Sequence, residues 1–177
     1  MADYFPGEIH IGGPVPKRLL GRLVKLIAEQ RLSLDHYGAP AATEEALGAA
    51  FCAGRVVDLC HEEARYGEFE ELEHFLLTRH IHFDRYSDGK YEHDAEKVFY
   101  RGGRDTVVFP AGQSGSIMLY RDEVTAILDD VDLDDHKKVE AVRKLACPPE
   151  VMPLAPVQIV SRLPQKGGAS RCQRRRK

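Results

Sequence analysis

The stretch His80-Ile81-His82-Phe83-Asp84-Arg85-Tyr86 alternates apolar and polar residues, the period of a strand with one buried face. It closes a helical pattern that begins near Gly67. The same phrase occurs earlier as Arg31-Leu32-Ser33-Leu34-Asp35-His36-Tyr37, again at the end of a helical pattern. Each copy finishes on Asp, a polar residue and Tyr.

The echo extends upstream. An offset of 49 residues superimposes Leu20 on Phe69, Leu23 on Leu72, Leu26 on Phe75 and Ile27 on Leu76. An offset of 48 places Ile9 and Ile11 on Val57 and Leu59. Each copy therefore reads as strand, amphipathic helix, strand: 7–13, 17–30 and 32–36, then 55–61, 68–79 and 80–86. Two such units in series predict an α+β fold with a ferredoxin-like split βαβ sheet and its helices on one face. In that order the first and third strands are central, and the fourth flanks the first. A small Ala-rich helix, 43–53, separates the copies; Thr43 caps it and Glu44 and Glu45 follow.

Beyond the repeat the character changes. Ser87-Asp88-Gly89-Lys90 is a hairpin turn signal, and Tyr91 starts the returning strand. Short extended runs at 98–100, 106–109 and 117–119 make 87–120 a β-rich extension. Helices are expected at 121–129 and 134–145, with Pro148-Pro149 ending the second. The run 153–160, punctuated by proline, reads as extended, with Val157, Ile159 and Val160 suited to an edge strand. Residues 1–6 read as a loose arm. The whole of 1–160 is taken as one domain, and 161–177, with almost nothing to bury, as a disordered basic tail.

Charge is unevenly placed. Residues 162–177 carry seven Lys and Arg and no acid, so the chain's 25 basic and 28 acidic residues divide into a tail of +7 and a body of −10, 18 against 28. An acidic body repels nucleic acid, and only the tail would bind it, weakly and without specificity. No apolar run is long enough to span a membrane and the start is not a secretory signal, which points to a cytoplasmic protein with reduced cysteines at 52, 60, 147 and 172.

Catalytic motifs are scarce. No Cys-x-x-Cys occurs. Cys60 and His61 are adjacent and would point to opposite faces of a strand. Ser114 lacks the Gly-x-Ser-x-Gly elbow, and 112–115 is not a phosphate loop. No cofactor is implied. The predicted polar face of the sheet shows His10, Ser33, Asp35, Asp58, Cys60, His80, His82 and Asp84. Of these, His10, Asp58 and His82 are the metal candidates, two imidazoles and a carboxylate being a fair ligand set.

The other feature is acidity interleaved with tyrosine: Asp84, Tyr86, Asp88, Tyr91, Glu92 and Asp94 on a strand–turn–strand. Such a surface suits a basic groove, where charge steers the encounter and aromatics anchor it. The leading expectation is a non-enzymatic protein-binding module for a partner with a basic surface. An anti-CRISPR-like inhibitor, of phage or mobile-element type, acting on a nucleic-acid-handling complex is one role of that kind. A small metal-dependent enzyme and a homodimer subunit that buries the open sheet face are the alternatives.

Overall fold

Both amphipathic helices of the repeat end in the same way, and this sets the layer. Helix α1 (Lys17–Glu29) and helix α3 (Glu70–Thr78) are followed, 49 residues apart, by Arg31 at φ 58° and His80 at φ 55°. In each case the next amide reaches back five residues, Leu32 to the Ile27 carbonyl at 3.4 Å and Ile81 to the Leu76 carbonyl at 2.9 Å. The left-handed residue itself bonds three back, Arg31 to Ala28 and His80 to Leu77. This is the Schellman cap, which satisfies the last carbonyls and throws the following apolar residue inward. Leu32 and Ile81 are accordingly buried. A left-handed conformation is unusual for Arg and His, and its occurrence at equivalent positions makes the echo structural as well as textual.

The computed structural model describes residues 3–34, 36–89, 94–112, 115–147, 152–161 and 163. The fold is α+β: among the described residues, a six-stranded antiparallel sheet with five helices. Its strands are β1 (Tyr4–Gly12), β3 (Ser33–Leu34), β4 (Val57–Arg65), β5 (His82–Ser87), β6 (Glu96–Tyr100) and β7 (Val107–Pro110), in the order β3-β4-β1-β5-β6-β7. A separate parallel pair joins β2 (Pro14–Pro16) to β8 (Gln158–Val160). Among the described residues no helix is long and apolar enough to cross a membrane.

Cross-strand register decides which side chains share a face, since directly opposed residues lie together. One inner row runs Leu34, Leu59, Ile9, Arg85, Val98; the next runs Val57, Ile11, Phe83, Tyr100. Onto these pack Leu23, Val24 and Ile27 of α1, Leu72, Phe75 and Leu76 of α3, and Leu47 and Phe51 of α2 (Glu44–Cys52). Thr43 caps α2 as its sequence requires, its hydroxyl accepting from the Ala46 amide.

Several boundaries differ from expectation. Residues 4–6 are not a loose arm but the start of β1, held by pairing of Tyr4 with Arg65 and Phe5 with Ala64. β4 continues to Arg65, and β3 shrinks to two residues. His80 precedes β5 instead of opening it, because the helix cap consumes that position. The run 117–119 forms an isolated bridge, Ala111 to Ile117, and no strand. Tyr91, Asp35, Pro148, Pro149 and the basic tail from 164 onward lie outside the described residues.

Helices α4 (Arg121–Asp129) and α5 (Asp135–Ala146) follow the sheet. The chain then returns to the body. The Met152 carbonyl accepts from Arg101, and the Gly13 amide donates to the Ala155 carbonyl at 2.8 Å. Val157 and Val15 are buried where β8 joins β2.

Candidate functional site: the open face of the sheet

The rows between those that face the helices form the opposite face. One runs Asp58, His10, Asp84, Phe99, Val107; its neighbour runs Ser33, Cys60, Glu8, Tyr86, Lys97, Phe109. Strand alternation alone put His10, Asp58, Cys60, Ser33 and Asp84 here, and all five are here. Asp35 lies outside the described residues. His80 is not on this face: its Nδ1 lies 3.1 Å from the hydroxyl of Tyr100, a residue of the helix-side core.

His10 is the centre of the acidic half. Its Nδ1 lies 2.6 Å from an Asp58 oxygen, so that nitrogen carries the donated hydrogen. Its Nε2 lies 3.7 Å from a Glu8 oxygen. The two carboxylates thus meet opposite edges of one ring. They cannot converge with it on a single ion. His82, the third metal candidate, stands opposite Gly12 and not opposite His10. Its imidazole lies against the backbone at Gly13 and Gly102, where an added side-chain carbon would come within 2.7 Å and 3.0 Å of the ring. Burial, and then the Arg101 guanidinium, lower its pKa. Among the described residues no three His, Cys, Asp or Glu are grouped so as to hold a metal ion.

Asp84 lies on a strand, as expected, but within the sheet and not at its edge. It sits mid-sheet with a guanidinium nitrogen of Arg101 on it, and Arg101 also donates to the Phe83 and Met152 carbonyls. Tyr86 is half-buried, its hydroxyl 3.3 Å from both the Asp88 carboxylate and the Gly112 carbonyl. Burial and Asp88 raise its pKa. Asp88 also accepts from the Gly89 amide. Asp94 is exposed, beyond the sheet face. Tyr91 and Glu92 lie outside the described residues.

Three features escaped the sequence, two on this face and one behind it. First, the segment 36–41 folds back over one end. The Ser33 hydroxyl donates to the Ala39 carbonyl at 2.6 Å, and Cys60 is buried with its thiol 3.8 Å from the Ser33 carbonyl. Tyr37 is carried in with it and hydrogen-bonds Glu8; burial first, and then that carboxylate, push the phenol far above its ordinary range. Second, the face is not free of aromatics. β6 and β7 extend the sheet and bring Phe99 and Phe109 edge to face at 6.2 Å, both buried. Third, parity alone puts Arg85 with Ile81 and Phe83 on the helix side, where it is 4% exposed. There it meets Glu73 at 3.0 Å, Glu96, Glu68 at 4.0 Å and the Ser87 hydroxyl. Its Nε makes no well-aligned hydrogen bond although it faces Glu73. The signal was present: a charged residue at an inward position of an alternating strand.

The open face therefore carries Glu8, Asp58, Glu62, Asp84 and Asp88 against Lys97 and Arg101. Both cations are already engaged, Arg101 by Asp84 and Lys97 by the Gly115 carbonyl at 3.1 Å. Asp58 and Glu62 are exposed. No protein-family model matches the chain, and no curated protein and no solved structure matches it.

Proposed function

We propose that the protein is a non-enzymatic binding module whose open sheet face takes a cationic partner. The observation that carries this reading is the excess of acid on that face: with Arg101 paired to Asp84, Glu8, Asp58, Glu62 and Asp88 stand against the single charge of Lys97, and Glu8 and Asp58 flank His10. A partner bringing Arg or Lys would find carboxylates held in fixed positions by a sheet, which lowers the ordering cost of binding. Tyr37 and Tyr86, both half-buried on this face, supply flat area beside the charge. The basic groove of a nucleic-acid-handling complex is the partner class this chemistry fits, and an anti-CRISPR-like inhibitor would act in this way.

The ferredoxin-like reading of the fold belongs with this proposal. It is supported by the run β3-β4-β1-β5, in which the third repeat strand lies beside the first and the fourth flanks the first on its other side. It is also supported by the matched caps of α1 and α3.

An arginine-rich peptide titrated at low and high salt tests the function. Binding is expected to weaken steeply as ionic strength rises through the physiological range, where the screening length falls to about 8 Å. Neutralising Glu8, Asp58 and Glu62 together as Gln, Asn and Gln is expected to weaken it by about tenfold or more, from about 0.5 kcal/mol per exposed pair. Equal losses on neutralising Glu29, Glu70 and Glu71, on the helix side, would show only a general charge effect and end the assignment to this face.

A further inference from the structure

Among the described residues, the helical hairpin 121–146 carries an apolar stripe that is only half covered: Val124, Ile127, Val142 and Leu145 are half-buried and the rest of the stripe is exposed. Val124, Ile127, Leu128 and Val131 lie at helical spacing, and so do Val139, Val142 and Leu145. No residue of α4 or α5 is buried. Leu128, Val131 and Val139 are 51%, 93% and 59% exposed. Helices of 9 and 12 residues are marginal in water on backbone bonding alone and ordinarily depend on burying a face. Yet α5 is locally well specified. Asp134 caps it by accepting from the Lys137 amide at 2.8 Å, and Arg143 and Lys144 sit at its negative end.

The charges say what covers the hairpin. α4 carries Asp122, Glu123 and Asp129 against Arg121, a net of −2. α5 carries Lys137, Lys138, Arg143 and Lys144 against Asp135 and Glu140, a net of +2. Among the described residues no cation of α5 pairs with a carboxylate of α4; Lys137 reaches only Asp134, its own cap residue, at 3.3 Å. A uniformly acidic or basic partner would be repelled by one helix of the two. A second copy would not. Rotation about a two-fold axis lays α4 of one copy along α5 of the other, and each acidic helix then meets a basic one, twice over.

We propose that the α4–α5 hairpin is a dimerisation element, two copies packing as a four-helix bundle around Val124, Ile127, Leu128, Val139 and Val142. The proposal is separate from the reading of the open face, because none of these residues belongs to that face.

Sedimentation equilibrium of the full chain at low salt tests it. Twice the monomer mass is expected at about 100 μM, the range of a modest interface. Leu128→Asp with Val139→Asp is expected to give a folded monomer whose melting temperature no longer depends on protein concentration, since both positions are exposed in the single chain. Two charge sets provide the second reading: Asp122→Lys with Glu123→Lys, and Lys137→Glu with Lys138→Glu. Each alone is expected to weaken the dimer by about tenfold through its repelling pairs. Mixing the two reversed proteins should restore association as a heterodimer, because acid again faces base at both contacts. A wild-type chain that stays monomeric overturns the proposal. So does a dimer indifferent to both sets, or a mixture that fails to recover.

Discussion

Two pairs of amphipathic helices in this chain have different fates. α1 and α3 bury Leu23, Val24 and Ile27, and Leu72, Phe75 and Leu76. α4 and α5, with stripes of the same kind, bury none of theirs. What separates the pairs is the chain around them. α1 and α3 end in Schellman caps that place Leu32 and Ile81 into the core and lead directly into β3 and β5, so each helix lies on the sheet it helps to build. α4 and α5 are joined to each other by the acidic run Asp129 to Asp135, with no strand between them to rest on. A hydrophobic stripe says that a helix has a buried side. It does not say what lies against it.

The largest expected effect breaks the comparison at its core. Phe83 is fully buried under α3, and Phe83→Ala is expected to cost about 3–5 kcal/mol, the transfer loss plus the cavity it leaves. Leu128→Ala in the hairpin is expected to change the stability of the same layer by less than about 0.5 kcal/mol. Urea titrations followed by tyrosine fluorescence measure both. Similar losses at the two sites would mean that the hairpin is part of the folding unit and that its stripe is covered by the body.

The parts of the fold governed by period were legible. α1, α3 and α4 fall within two residues of their expected bounds, and Ile9, Ile11, Val57, Leu59, Ile81 and Phe83 all face the helices. Strand order also put β4 beside β1, but the register that sets His10 opposite Asp58 is a finding of the structure, because repeat order fixes neighbours and not register. What parity does not carry is the third dimension above the sheet. Nothing in Gly38-Ala39-Pro40 announces that Tyr37 turns back over Cys60 and Glu8. Nothing in the short runs 98–100 and 106–109 says that they continue the main sheet and bury Phe99 and Phe109 against its polar side. His82 failed as a partner of His10 for a metric reason: alternate residues along β5 are too far apart for both to stand opposite the same position of β1, and Asp84 holds that place.

A smaller effect sharpens the contrast by comparing cations. Arg85 lies within the layer with Glu73 and Glu96 upon it, and Lys137 lies on the exposed face of α5. Arg85→Met keeps most of the stem volume but leaves Glu73, 16% exposed, without its cation. The expected cost is about 2–3 kcal/mol, below that of a fully buried broken pair because Glu96 and Glu68 are partly in water. Lys137→Met is expected to cost at most about 0.5 kcal/mol. Adding Glu73→Leu to Arg85→Met should recover stability, since the cost is that of an uncompensated charge. A double variant worse than the single would show that Glu73 earns its place chiefly by accepting from the Phe69 amide at 2.9 Å, where it holds the start of α3.

The smallest effects are pH slopes of opposite sign inside the layer. Burial raises the pKa of Glu73 above its ordinary 4.5, against the lowering pull of Arg85. The folded state therefore binds this proton more readily than the unfolded chain does. Its contribution is complete below pH 4.5 and is lost as pH rises through the folded value. Glu73→Gln cannot titrate, so the stability of wild type relative to that variant is expected to fall as pH rises from about 4. His82 runs the other way. Burial and Arg101 lower its pKa below 6.5, so its contribution is complete above pH 6.5 and is lost as pH falls toward the folded value. Wild type relative to His82→Gln is expected to gain stability between about pH 5 and 7. Thermal unfolding across that range for the three proteins separates the two slopes. A flat difference for His82→Gln would mean that its imidazole is in contact with water and not enclosed by Gly13 and Gly102, and the open face would then be wetter near β2 than its geometry indicates.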